Sequence, residues 1–199
     1  RHGVQVTAAT SAQQEPAPSS PIEAVDGVDI WRTPPPRLAG IYGRLPGARE
    51  LALMNALGRR VAQAAAAVRP DLLHAHSPVL NALPALWVGR CLGIPVVYEV
   101  RAFWEDAAAD HGTGREWGAR YRVTRAVESF ALRRADAVTT ICEGLRSDIV
   151  GRGIARDKVT VVPNAVDIDK FIVGREPDAA EAIGASRGPP STAATPRRR

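Results

Sequence analysis

From Glu50 to Val68 apolar side chains recur at three- and four-residue spacing: Met54, Leu57, Val61, Ala65 and Val68, with Arg59 and Arg60 off that face. The spacing predicts an amphipathic helix, stopped by Pro70. The period then changes. DLLHAHS (71–77) is short and apolar, a strand; residues 78–92 are helical in composition and end at Gly93; IPVVYEV (94–100) is a β-branched run that reads as a buried strand. Residues 115–134 predict a long helix with Tyr121, Thr124, Val127, Phe130 and Ala131 on its inner face. ADAVTTI (135–141) and DKVTVVP (157–163) are strands, separated by a short helix, EGLRSDIVGRG (143–153), with a glycine stop.

Strands that alternate with helices call for an α/β fold, a Rossmann-like parallel sheet with helices on both faces. The strands are apolar without alternation, as expected when both faces are covered. Upstream the signal is weaker. Residues 1–25 show no period and read as a loop, VDGVDIWRT (25–33) is a strand beginning at a glycine turn, and residues 33–47 are Pro/Gly punctuation. Three regions are therefore expected: a loop-rich segment with one short strand (1–49), an α/β domain (50–172) and a disordered basic tail (173–199).

Charge changes the picture little. The net charge of +5 owes four positive charges to Arg187, Arg197, Arg198 and Arg199, in a tail stretch without acids. The rest is near neutral, so no nucleic-acid partner is expected. Arg outnumbers Lys 24 to 2, which reads first as a GC-rich coding bias. Residues 1–20 lack the apolar core of a signal peptide, and no window reaches the roughly 18 apolar residues of a membrane span. Cys91 and Cys142 are far apart, in no CxxC pattern, and are expected to be small buried residues of a reducing compartment.

The chemistry concentrates where strands end. In a doubly wound sheet, ligands sit beyond the carboxyl ends of the strands. Arg101, Trp104, Glu105 and Asp106 follow one such end, and His76 and Ser77 close another. An indole stacks on a sugar face and a guanidinium forks onto an anion, while Glu105 or Asp106 accepts a hydroxyl proton. The equal alternative is an Arg–carboxylate cluster that only ties down a loop. His74 and His76 share one strand face by the two-residue period, and with His111 they raise the question of a metal. No further ligand has suggestive spacing, and histidines closing a strand are more often hydrogen-bonding groups, so no metal is assigned.

Two motif matches are decoys. GASRG (184–188) fits the G-x-S-x-G elbow but follows no strand and has no histidine after it, which excludes a hydrolase. HGTGREWG (111–118) is one residue off the dinucleotide fingerprint and follows no apolar strand, so it reads instead as a lid with Gly112 and Gly114 as hinges. Asn164 and Asp167, in VVPNAVDIDKF, mark a strand exit into a turn.

Taken in order, DLLHAHSP, GIPVVYEVRAFWED, ADAVTTICEGLRSDI and KVTVVPNAVDIDKF resemble the N-terminal half of a family 4 glycosyltransferase of the GT-B fold, over about residues 50–172. RPDLLHAHSPVLNALPAL with YEVRAFWEDAAADHG is most similar to the glycosyltransferases associated with exosortase and PEP-CTERM systems, which serve surface polysaccharide synthesis. The resemblance implies an acceptor-binding domain facing a nucleotide-sugar-binding one with a Glu-x7-Glu motif, retaining transfer, and no metal or other cofactor. It also implies work on the cytoplasmic side of the membrane, with peripheral contact at the inner membrane, on glycan or lipid-linked acceptors. The family's strand-end His–Asp pair is here Arg101-Ala102, and the usual Ser opening the helix after ADAVTTI is Cys142, which removes the usual cap.

Arg101 and Glu105 are the expected catalytic residues; His74, His76, Ser77, Trp104, Asp106 and His111 the expected acceptor contacts; Asn164 and Asp167 the interdomain linker. The family's first strand with its glycine-rich loop and its donor domain are expected to be missing from this sequence. The chain is thus expected to be an incomplete half of the GT-B fold, inactive alone, with a tail translated out of frame. The alternative is a stand-alone, non-catalytic glycan or lipid-phosphate binding module, or the partner of a separate donor subunit.

Overall fold

The structure, a computed structural model, describes residues 3–13, 20–36, 47–103 and 118–166. The chain divides after Pro163, and everything below concerns the first unit, residues 1–163. Strand β1 (Thr7–Thr10), β2 (Ile22–Val25) and β3 (Val28–Arg32) lead into helix α1 (Ala48–Val68). Next come β4 (Leu73–His76), α2 (Val79–Leu92), β5 (Val96–Val100), α3 (Ala119–Arg134), β6 (Ala137–Thr140), α4 (Glu143–Gly151), a 3₁₀ turn and β7 (Val159–Val161).

Strands β4 to β7 form a four-stranded parallel sheet flanked by helices, as the alternation predicted; their order in the sheet, which the sequence does not reveal, is β4-β5-β6-β7. One face carries Ala75, Tyr98, Val100 and Val138, all nearly inaccessible, and joins α2 and α3 in a continuous core with Val79, Ala82, Ala131, Leu132 and, from α4, Ile149. Burying each such valine contributes about 1.5–3 kcal/mol. Helix α2 reaches β5 closely at Gly89, where an added Cβ would lie 2.5 Å from Val96 Cγ2 and 2.7 Å from the Ile94 carbonyl oxygen. Gly93 (φ 70°) ends the helix, its N–H donating to the Gly89 carbonyl. Strand ends are pinned by side chains: the Val96 N–H donates to Asp136 Oδ2 (2.7 Å), and the Thr140 hydroxyl to the Val100 carbonyl (3.0 Å).

Upstream the structure departs from the sequence expectation. Three strands, not one, lie before residue 49, as a sheet of order β1-β3-β2 with β1 parallel and β2 antiparallel to β3. The reason is exposure. Ile22 and Val25 are over 40% accessible, so β2 has no apolar face to announce it. The turn had a signal, however: Asp26 (φ 52°) and Gly27 (φ 80°) are both left-handed, and Val25 pairs with Val28, the geometry for which Asp-Gly is the preferred pair. Arg32 closes the hairpin on Glu23 at 2.8 Å.

Two further expectations are corrected. In α3 Phe130 faces outward, with the Arg134 guanidinium over its ring at 5.3 Å, while Glu128 and Leu132 turn inward, and Ala135, just past the helix, is buried too. The inner face is set by Tyr98, whose hydroxyl donates to Glu128 Oε1 at 2.6 Å; an apolar count cannot place a buried carboxylate on that side. Both cysteines are exposed. Cys91 lies one turn after the exposed Trp87, off the buried series of α2, and Cys142 stands before α4 without capping it by a side-chain hydrogen bond. No described helix is long and apolar enough to cross a membrane.

Candidate functional site

Because β4 and β5 are parallel neighbours, their carboxyl ends emerge side by side. The register sets His76 opposite Glu99 and His74 opposite Val97. Along β4, Ala75 turns into the core, so His74 and His76 both project from the opposite sheet face, where Glu99 also lies. Their rings stack, with centroids 4.6 Å apart.

Glu99 is the hub. Its Oε2 lies 3.1 Å from His74 Nε2 and 3.3 Å from His76 Nδ1, and its Oε1 accepts a 2.6 Å hydrogen bond from Arg101 Nε. The carboxylate is mostly buried (16% accessible), whereas His76 and Arg101 are half exposed. Burial alone would raise the Glu99 carboxyl, but the Arg101 hydrogen bond and the charges of His76, Arg101 and His74 outweigh it and hold the group below its ordinary value. His74 is pushed down, first by burial and then by its neighbour His76, against the pull of Glu99. At neutral pH the cluster therefore presents a carboxylate and a neutral His74 imidazole.

Ser77 joins the two strand exits. Its N–H donates to the Glu99 carbonyl (2.8 Å), and its hydroxyl accepts from the Arg101 N–H (3.3 Å). Asn81, in the first turn of α2, donates to the His76 carbonyl at 3.2 Å. The rim is thus hydrogen-bonded backbone carrying half-exposed side-chain tips. With Nε held by Glu99, the terminal nitrogens of Arg101 have no partner among the described residues and can fork onto an anionic oxygen. His76 can donate to or accept from a hydroxyl.

Of the residues expected from sequence, the structure brings together His74, His76, Ser77 and Arg101. Trp104, Glu105, Asp106, His111 and Asp167 lie outside the described residues, as do the glycine lid and the tail, and Asn164 follows Pro163 at the division between the two units. Glu99 was missed. It sits inside an apolar strand and reads as a lone interruption until the register shows it opposite His76. A separate cavity of about 390 Å³, between Pro34–Pro36 and the Asn55–Arg59 side of α1, contains none of these groups.

Comparison with known proteins places this geometry in context. The family pattern described as "Glycosyl transferase 4-like domain" matches residues 1–165. The glycogen synthase of Mycobacterium tuberculosis, in two strains, is 31% identical over 106 residues, 52% of this chain but 24% of the relative. The match thus spans about a quarter of those curated relatives. Among solved structures, a portion of sucrose-phosphate synthase from Thermosynechococcus elongatus superposes with a TM-score of 0.57 over 92% of this chain and 84% of that one, at 12% identity, a likeness of fold. Anabaena HepE, solved in complex with UDP, gives 0.48 over 71% of this chain and 32% of that chain, at 16% identity.

Proposed function

The chain belongs to the family of glycosyl transferase 4-like domains, and from that premise we propose that it is the acceptor-binding half of a retaining glycosyltransferase. It would hold a glycan or lipid-linked acceptor at the β4–β5 rim while a second domain presents the nucleotide-sugar. The observation that carries this reading is the Arg101–Glu99–His76 cluster: an anchored guanidinium beside a half-exposed imidazole at the carboxyl ends of parallel strands. That end of such a sheet is where ligands bind.

In this role the terminal nitrogens of Arg101 take an acceptor phosphate or uronate oxygen, and His76 hydrogen-bonds the hydroxyl that attacks the donor sugar. Glu99 orients both and does not touch the acceptor. Glu105 takes the hydroxyl proton, with Trp104 stacking on the acceptor ring and Asp106 and His111 completing the contacts. Asn164 and Asp167 form the linker toward the donor side. Surface polysaccharide synthesis of the exosortase-associated kind, at the cytoplasmic face of the membrane, is the setting we propose, on the strength of the motifs around His76 and Arg101.

The test is calorimetric titration of the full chain, first with UDP-glucose and then with a short-chain polyprenyl-phosphate-linked sugar. The acceptor analogue should bind and the nucleotide-sugar should not, and Arg101→Ala should weaken the acceptor about 10-fold or more, the scale of one charge-assisted contact. Tight UDP-glucose binding by this chain alone would overturn the assignment to the acceptor side.

A further inference from the structure

We infer that His74, His76 and Glu99 form a binding site for one divalent first-row transition ion, with zinc as the best-matched occupant. Their ligand atoms, two imidazole nitrogens and a carboxylate oxygen, all lie within 4.8 Å of one another. An ion held at about 2.1 Å from each donor requires donor–donor separations of about 3.0 Å at a right angle and about 3.4 Å in a tetrahedron. Two of the three edges already have that length: 3.1 Å from His74 Nε2 and 3.3 Å from His76 Nδ1, both to the same Glu99 Oε2. The imidazole–imidazole edge is the one that must adjust to the ion, and its donors also lie within 4.8 Å of each other.

The scaffold favours the site. All three ligands stand on strands whose other face is packed, with Ala75 between the two histidines buried and Val100 beside Glu99 fully so. Sites on regular elements hold their geometry better than sites on loops. Arg101 binds the other oxygen, Oε1, so it orients the carboxylate and leaves Oε2 to ligate, the usual arrangement behind a metal ligand. Two imidazoles and one carboxylate suit zinc, or cobalt and ferrous iron in the same facial set, over magnesium and calcium, which take oxygen ligands. With His74 and His76 43% and 52% accessible, at least one coordination position stays open to water or to an anionic oxygen, which the nearby Arg101 would favour.

The ion is not assigned a part in sugar transfer. It would fix the rim and offer a second cationic point beside Arg101. The inference shares residues with the proposed acceptor site but does not rest on it, and the experiment contains neither sugar nor nucleotide, so either can fail alone.

The experiment strips the full chain with a chelator and titrates it with Co²⁺, then displaces Co²⁺ with Zn²⁺ in competition with a chromophoric chelator. Stoichiometric uptake is expected, with a visible ligand-field band and no thiolate charge-transfer band. His76→Ala and Glu99→Gln should each weaken zinc by about 10- to 100-fold or more, the loss typical even of a supporting residue. Cys91→Ser and Cys142→Ser should leave it unchanged. Far-ultraviolet circular dichroism checks that each variant is folded, and the parent chain alone can refute the site by failing to compete for zinc. Equal affinity in a His74→Ala/His76→Ala double variant, indifference to Glu99, or a thiolate band would also overturn it.

Discussion

Tyr98→Phe isolates one buried interaction. Tyr98 is fully buried and Glu128 is 1% accessible, and the phenol donates to the carboxylate at 2.6 Å. The substitution removes one oxygen and leaves the ring in place, so no cavity cost enters. What remains is a buried carboxylate short of one donor. Hydrogen bonds to charged groups contribute about 1.5–3 kcal/mol, and Glu128 keeps other interactions, so the loss should fall in that range rather than at the cost of an isolated buried charge. For a chain of this size the melting temperature should fall by roughly 3–12 °C. Calorimetry and urea unfolding on Tyr98→Phe, Glu128→Gln and the double variant form a cycle, and a coupling of about 1 kcal/mol or more is expected between groups in direct contact. A single-variant loss below about 0.5 kcal/mol, within the range of neutral surface changes, or strictly additive losses, would refute the claim that this bond seats α3 on β5.

Beyond the acceptor and zinc titrations, two stability measurements probe the packing that holds the rim. Gly89→Ala should destabilise the chain by about 1–2 kcal/mol in urea unfolding: the new methyl meets a backbone carbonyl at 2.7 Å that no rotamer change relieves, and overpacking outweighs the gain in helix propensity. A stabilised variant would show that α2 and β5 are less closely joined. Asp136→Ala leaves the N–H of buried Val96 without its 2.7 Å acceptor and should cost about 1–3 kcal/mol, and an unchanged melting temperature would mean that another group takes over the bond.

What the sequence made legible follows from where the apolar signal is strong. The second sheet was readable because Val96, Tyr98 and Val100 sit in a fully buried strand and because α1 and α2 end at Pro70 and Gly93. Of the first sheet only β3 was readable, within VDGVDIWRT, since β1 and β2 are four-residue strands with half-exposed side chains and no contrast between faces. At the site, the two-residue period of His74 and His76 could be read directly. Arg101 was also visible, as a cation ending an apolar run. Glu99 could not be placed, because its role depends on which residue of a neighbouring strand it faces, and sequence patterns hold no register. Phe130 failed in the opposite way: an aromatic ring at a plausible helical spacing yielded the inner position to a carboxylate that has a phenol to meet.

The register of β4 on β5 ties the two faces of the sheet to one specification. A slip of β4 by one residue would turn both imidazoles toward α2 and expose Leu73 and Ala75 in their place. The alternative pairing that would scatter the polar cluster is therefore the one that the apolar core rejects most strongly. The alignment of the site is thus secured from the far face as well as by its own hydrogen bonds, with buried core side chains proofreading it. Substitutions at Ala75 or Val100, which touch none of the polar groups, are thereby positions from which the chemistry of the rim can be detuned.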